Sequence, residues 1–283
     1  MIPSAFDYES PSTVEEALTL LGQAGDDAKI LAGGQSLIPV MKLRMAGPEL
    51  IIDLGKIDGL RGISDDGDAI SIGAMTPHHE VATSALVAEH VALVSEAAKT
   101  VADPQVRHRG TFGGALVHAD PAGDLPAPAL ALGAEFVIAG ASGPRTVPAT
   151  EFFVDYFTTA VGEDEILTHV RIPKHTGWGA SYQKFTRVAQ QWSIVAAAAA
   201  VRLEGGSIAE ARIGLTNMGS TPIRAASVEQ ALAGCAFDEA SVAQATASAG
   251  DGTSPPTDTN GDADYRRHLA GVLAKRAVLA AGS

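Results

Sequence analysis

The chain has 283 residues, 46% of them hydrophobic, and a formal net charge of −13 at pH 7. That length and apolar content suit one large domain or two to three smaller ones, and the acidic balance argues against nucleic acid and anionic membrane surfaces as partners. Cys235 is the only cysteine, which excludes an internal disulfide and leaves too few thiolates for an iron–sulfur cluster or a cysteine-based zinc site in this chain.

Met1–Asp7 has neither the basic start nor the apolar core of a secretory signal. No run is apolar enough over enough residues to cross a bilayer, so no membrane insertion and a cytoplasmic location are expected. The first segment, residues 1–56, reads as strand–helix–strand. Ser12 and Glu15 have capping-box spacing, and Val14, Ala17, Leu18 and Leu21 follow at helical intervals before Gly22 or Gly25. A short strand over Lys29–Ala32 runs into Gly33-Gly34-Gln35-Ser36. Paired glycines there let the backbone turn sharply with no Cβ to hold a ligand away, so consecutive N–H groups can converge on an anion such as a diphosphate. The spacing is not the G-x-G-x-x-G of a Rossmann turn, and no Gly-Lys-Ser/Thr follows to make a P-loop. Leu37–Met45 carries Ile38, Val40, Met41 and Leu43, and Leu50–Leu54 reads as a second buried strand.

The second segment covers residues 57–173. Asp65-Asp66-Gly67-Asp68 predicts a hairpin turn before a strand at Ala69–Ile72. Thr76-Pro77 predicts a helix start, with Thr as cap and Pro at the first helical position. His78, His79 and Glu80 are read as surface residues, because adjacent histidines on a helix point to different faces and cannot share a metal. Val91–Val101 reads as a helix and Asp103–Arg109 as a polar turn. The turn delivers the chain to a second glycine stretch, Gly110-Thr111-Phe112-Gly113-Gly114-Ala115, where Thr111 can donate a hydroxyl. Asp120 and Asp124 follow in a chain too rich in Pro and Gly for a long helix. Either can accept paired hydroxyls of a ribose or ribityl chain, or instead cap the following helix. His118 beside them is read as structural.

In the third segment, residues 174–283, Ile194–Leu203 is Ala-rich and helical by propensity. Gly205-Gly206 and the strand-like Ile208–Thr216 instead predict a hairpin. Helices are predicted at Ala225–Leu232, Glu239–Ala249 and Tyr265–Leu279, with Gly250–Gly261 as a flexible loop.

Taken together, Ala32–Leu37, Met41–Arg44, Ala102–Arg107, Arg109–Gly114, Asp120-Pro121, Asp124-Leu125-Pro126, Tyr182-Gln183-Lys184, Leu215-Thr216-Asn217 and Gly261–Tyr265 resemble the flavin-binding subunit of the molybdenum hydroxylases, in order along the whole chain. The most similar subgroup is the medium chain of carbon monoxide dehydrogenase and its relatives acting on N-heterocycles; the xanthine dehydrogenase flavin domain belongs to the same family. The resemblance implies an α+β, vanillyl-alcohol-oxidase-like (PCMH) fold with two FAD-binding subdomains and a C-terminal sheet-and-helices domain.

It also implies roles. The FAD diphosphate would lie between Ala32, Gly33, Gly34, Gln35, Ser36 and Leu37 on one side and Thr111, Gly113, Gly114 and Ala115 on the other. Asp124, with Asp120, would bind flavin hydroxyls, and Leu167 would lie close to the ring. Lys184 would sit at the pyrimidine edge, where a cation stabilises the reduced, anionic flavin. Trp192, read from its polar neighbours Gln190, Gln191 and Ser193 and not from the resemblance, would pack on the ring or begin the apolar strand after it. Where many relatives carry His, this chain has Gln35, which cannot bond covalently to the flavin, so non-covalent FAD is expected. A large molybdopterin subunit and a small subunit with two [2Fe-2S] clusters are the implied partners, in a dimer of heterotrimers. The chain would pass electrons from the clusters through FAD to an external acceptor, with no catalytic acid/base pair and no metal of its own. Residues Thr186–Ser193 depart from the carbon monoxide-oxidising pattern apart from Trp192, which leaves the substrate open. A stand-alone flavin oxidoreductase of the same fold would need a catalytic group over the flavin, and the sequence offers none.

Overall fold

The fold comes from a computed structural model that describes residues 2–283. Strand β1 (Asp7–Glu9), helix α1 (Val14–Ala24), β2 (Ala28–Leu31), α2 (Leu37–Lys42) and β3 (Leu50–Asp53) build a parallel sheet of order β1-β3-β2. Ala17 and Leu21 of α1 pack on Ile52 and Leu54, closing a small core that also takes in Ile166. The helix start lies one residue beyond the predicted box. Thr13 is the cap, its Oγ1 accepting the Glu16 N–H at 3.1 Å, and the Glu16 carboxylate accepts the Ser12 N–H at 2.8 Å.

The next stretch runs β4 (Ile63–Asp65), β5 (Ala69–Gly73), α3 (His78–Thr83), α4 (Ala85–His90), α5 (Ala92–Thr100), α6 (Pro104–Arg107), α7 (Phe112–His118) and α8 (Pro126–Ala131). After these come β6 (Glu135–Gly140), β7 (Gly143–Pro148), α9 (Ala149–Phe152), β8 (Phe153–Asp155), β9 (Thr158–Thr159) and β10 (Ile166–Pro173). Strands β4-β5-β10-β6-β7 form an antiparallel sheet under the helices, and β8 pairs with β9. The β4–β5 hairpin turns at Gly67 as predicted, with φ +88°. The polar turn at 103–109 contains one helical turn, α6, capped by Asp103 Oδ1 on the Val106 N–H at 2.9 Å.

Two expectations need correction here. Thr76 does not cap α3. Its Oγ1 exchanges hydrogen bonds with the N–H and carbonyl of Gly62, both at 3.0 Å, and α3 starts at His78 with Pro77 before it. The reason is tertiary: Thr76–His78 runs beside the second glycine stretch, with Phe112 N–H donating to Thr76 O at 2.8 Å and His78 N–H to Gly110 O at 3.0 Å. In consequence His78 is not a surface residue. It is 4% exposed, whereas His79 lies outside and stacks on His108 at 4.0 Å.

The last stretch holds β11 (Gly179–Phe185), β12 (Val195–Glu204), β13 (Ser207–Thr216), β14 (Ile223–Arg224), α10 (Ala226–Leu232), α11 (Glu239–Thr246) and α12 (Ala263–Ala281). The strands form one antiparallel sheet in chain order. The Ala-rich run is strand β12, and its burial explains why propensity loses. Ala196, Ala198 and Ala200 face the core of the preceding stretch, while Val195, Ala197, Ala199 and Val201 face the core under α12. A strand buried on both faces needs small side chains where two layers close on it, and its backbone is satisfied by β11 and β13. The loop over 250–261 is tied down: Ser254 N–H donates to Met218 O at 3.0 Å, and Arg266 Nη2 reaches Asp258 at 2.7 Å. Among the described residues no helix is long and apolar enough to cross a membrane.

Buried His78 makes stability depend on pH. Burial, aided by the Arg107 charge, lowers its pKa from 6.5 to about 4, and its Nδ1 has no partner among the described residues. The folded chain therefore binds fewer protons than the unfolded chain between those values, so stability present above pH 6.5 is lost as pH falls towards 4. At 1.36 kcal/mol per pH unit, about 2 kcal/mol should be lost between pH 6.5 and 5. Urea unfolding at both pH values should show that loss in the wild type and its absence in His78→Leu; an equal loss in the variant would contradict the assignment.

Candidate functional site

The two glycine stretches meet. A Cβ on Gly33 would lie 2.6 Å from Gly110 Cα and closer still to the Arg109 carbonyl oxygen, and one on Gly114 would lie 3.2 Å from Ala32 Cβ. The glycines thus let two backbones touch, beyond any space they leave for a ligand. Gly34 adds a left-handed turn, φ +74°, that a side chain would strain.

The loops differ in what their N–H groups do. In the second, Phe112 N–H donates to Thr76 O, Gly113 N–H to Ala74 O, Gly114 N–H to Thr111 Oγ1 and Ala115 N–H to Thr111 O, all at 2.8–3.2 Å. Thr111 is the cap of α7, and its hydroxyl oxygen is already an acceptor. In the first, the N–H groups of Gly33, Gly34, Gln35 and Ser36 have no acceptor among the described residues. Four successive free donors in a turn with no Cβ at its start suit an anionic diphosphate. Gln35 Nε2 folds back to Gly33 O at 3.1 Å, and Leu37 begins α2. The two stretches therefore differ: the first has unmatched donors, and the second has its N–H groups bonded within the chain.

The two aspartates differ in how far their oxygens are engaged within the chain. Asp124 is 5% exposed and held from three sides: Oδ1 accepts from Tyr182 Oη at 2.9 Å and Ser193 Oγ at 3.0 Å, and Oδ2 from Lys184 Nζ at 2.8 Å. Burial pushes its carboxyl up against the opposing pull of Lys184 and the hydroxyls, and burial, then the Asp124 charge, pushes the Tyr182 phenol well up. Three of the roughly four lone-pair sites of the Asp124 carboxylate are thus engaged within the chain. Asp120 is half-buried, with Oδ1 accepting the Ala122 N–H at 2.9 Å and Oδ2 unengaged among the described residues. Neither caps α8, whose N-terminus has no side-chain bond. His118 beside Asp120 has its pKa lowered by burial, partly offset by Asp120, and packs against Phe157.

Lys184 lies on β11, bonded to Asp124 and to Thr100 O at 3.2 Å. Its charge is therefore paired within the chain, and the pair as a unit gives far less field than a free ammonium would. Leu167 is 4% exposed in the main core, opposite Ile138 next to a bulge in β10, and its burial is complete without a ring. Trp192 is 53% exposed, so it is not the start of the buried strand; the core begins one residue later, at Ser193. The sequence reading assigned no role to Tyr182, Ser193 or Asn217. Tyr182 and Asn217 lie in islands that carried the resemblance, yet a role shows only once the partners are seen.

Residues 4–175 match the family described as the FAD binding domain in molybdopterin dehydrogenase, and residues 180–281 match the CO dehydrogenase flavoprotein C-terminal domain. The chain belongs to this flavoprotein family. It is 43% identical to the carbon monoxide dehydrogenase medium chain of Hydrogenophaga pseudoflava, covering 99% of this chain and 98% of that one. It is 38% identical to the 6-hydroxypseudooxynicotine dehydrogenase complex subunit alpha of Paenarthrobacter nicotinovorans, covering 98% and 94%. The solved carbon monoxide dehydrogenase of Hydrogenophaga pseudoflava superposes with a TM-score of 0.96 at 45% identity, covering 100% of this chain and 99% of that one. The flavoprotein's fold is accordingly the α+β FAD-binding fold of the medium chains, its cofactor is FAD, and it is an oxidoreductase subunit.

The Asp124–Lys184 pair can be tested as a unit. Breaking a buried pair from one side costs about 3–5 kcal/mol, because the remaining charge is left unmatched. Lys184→Met and Asp124→Asn should each lose stability of that order, and the double variant should regain most of the loss. Additive losses in urea unfolding would mean the two side chains act independently.

Proposed function

We propose that this flavoprotein is the electron outlet of a molybdenum hydroxylase, non-covalently holding FAD between segments 1–56 and 57–173, with segment 174–283 beside the ring. The observation that carries the reading is the run of four unmatched N–H donors at Gly33–Ser36, backed by the second glycine stretch. These donors would hold the diphosphate, with Ala32, Leu37, Thr111 and Ala115 lining its path. Asp120 would take hydroxyls through its free oxygen, and Trp192 would cover one face of the isoalloxazine. Lys184 and Asp124 would frame the ring's edge as a pair, and Leu167 would back the core behind it.

FAD, when bound, supplies the chemistry of accepting electrons one at a time and releasing them in pairs. The chain's own work is to bind and orient that group and to limit solvent at its face. The partners would be a large molybdopterin subunit and a small iron–sulfur subunit, assembled as a dimer of heterotrimers in the cytoplasm. Exposed Leu43, Met45, Val154, Tyr156 and Phe157 supply apolar surface of the kind that subunits cover. Relatives named for carbon monoxide and for a nicotine derivative use this type of subunit, so its residues carry the electron route and leave substrate choice to the partner.

Gly33→Ala tests the reading in the assembled complex. The added Cβ must push the two loops apart, an overpacking of about 1–3 kcal/mol. The variant should assemble yet lose FAD, with substrate still reducing the partners' clusters and turnover with an external acceptor abolished. Normal flavin content would reject the cradle. Normal turnover without flavin would reject the electron route.

A further inference from the structure

Asn217 follows β13 in the left-handed region, φ +62°, and is buried. Asn tolerates that backbone better than most residues. Its Nδ2 donates to Ser193 O at 2.8 Å and to Ile194 O at 3.1 Å, and its own N–H donates to Pro121 O at 2.9 Å. Both acceptors of the side chain are carbonyls, so the amide nitrogen, not its oxygen, faces them. One residue thereby bridges the Asp120–Asp124 turn, in the FAD-binding segment, to the first two residues after Trp192. The same point is held from other sides. Ser193 Oγ donates to Asp124, Ile194 N–H pairs with Phe185 O at 2.9 Å, and Arg266, buried in α12, donates to Ile194 O.

Outside these anchors the loop over 186–192 is exposed except at Thr186 and Gln191, with Gln190 also left-handed. Its internal ties are weak: Gln191 Oε1 accepts from the N–H groups of Arg187 and Val188 at 3.2 and 3.3 Å, and its Nε2 lies 3.4 Å from Asn260. The loop is fixed at its end and soft along its length, and the large aromatic sits directly at the fixed end.

We infer that Asn217 is a positioning residue that locks the exit of the 186–192 loop to the FAD-binding turn, and so sets Trp192 against the flavin. The inference rests on the proposed place of Trp192 at the ring. The clamp itself is read without flavin, so the two fail separately.

The test uses the full chain with Trp178→Phe, leaving Trp192 as the only tryptophan, and FAD as the probe. Asn217→Gly keeps the left-handed backbone and removes both donors. Asn217→Asp keeps the volume, loses the same donors, and serves should the glycine variant not fold. In the apo protein, amide exchange over residues 186–194 should rise about tenfold in either variant, with β13 protection unchanged. Unchanged exchange at 186–194 overturns the clamp. On adding FAD, Trp192 emission should be quenched in the parent and recover in the variants at equal flavin occupancy. Full quenching in the variants overturns the positioning role. A parent whose emission ignores FAD removes Trp192 from the ring, while the exchange result still decides whether Asn217 clamps the loop.

Discussion

The close approach of Gly33 to the Arg109–Gly110 backbone is the constraint on which the rest of this flavoprotein's site depends. It brings the end of a parallel sheet against the start of a helix from a different, antiparallel sheet, at a separation no side chain would allow. Once the loops touch, the second spends its own N–H groups on Thr76, Ala74 and Thr111 and becomes rigid. The first is then propped with its donors outward. An anion-binding turn needs such propping, because free N–H groups that could relax onto a neighbouring carbonyl would do so.

A second node joins the C-terminal sheet to this cradle. Asp124 leaves the FAD-binding segment and is met by Tyr182 and Lys184 from β11 and by Ser193, two residues before β12. With Asn217 on Pro121, the cluster makes the relative placement of the FAD-binding domain and the C-terminal sheet a matter of hydrogen bonds with fixed geometry, where apolar packing alone would tolerate slippage. The Ala face of β12 is the apolar counterpart: small side chains at 196, 198 and 200 let the sheet close on the preceding core.

Much of this was legible in the sequence. The glycine pairs, the hairpin at Gly67, the strand nature of the Ala-rich run and the family itself were all readable, because local backbone chemistry or several spaced islands carried them. What failed did so for tertiary reasons. Thr76 and His78 looked like a helix cap and a surface residue until the second glycine stretch lay beside them. The hydrogen-bond partners of Asp124 were invisible too, because they are 58 to 69 residues away. Asn217 carried a trace of its role, since Asn after a strand is a left-handed candidate, but the carbonyls it serves could not be named.

The central claim is that the first glycine stretch supplies the donors and the second supplies the support. Amide nitrogen and proton shifts of the apo chain, followed while FAD is added, test it most directly. The account predicts that the largest changes fall on Gly33, Gly34, Gln35 and Ser36, as free donors acquire anionic acceptors, with Phe112, Gly113 and Gly114 moving far less. Large changes at Gly113 and Gly114, with Gly33–Ser36 unmoved, would contradict it.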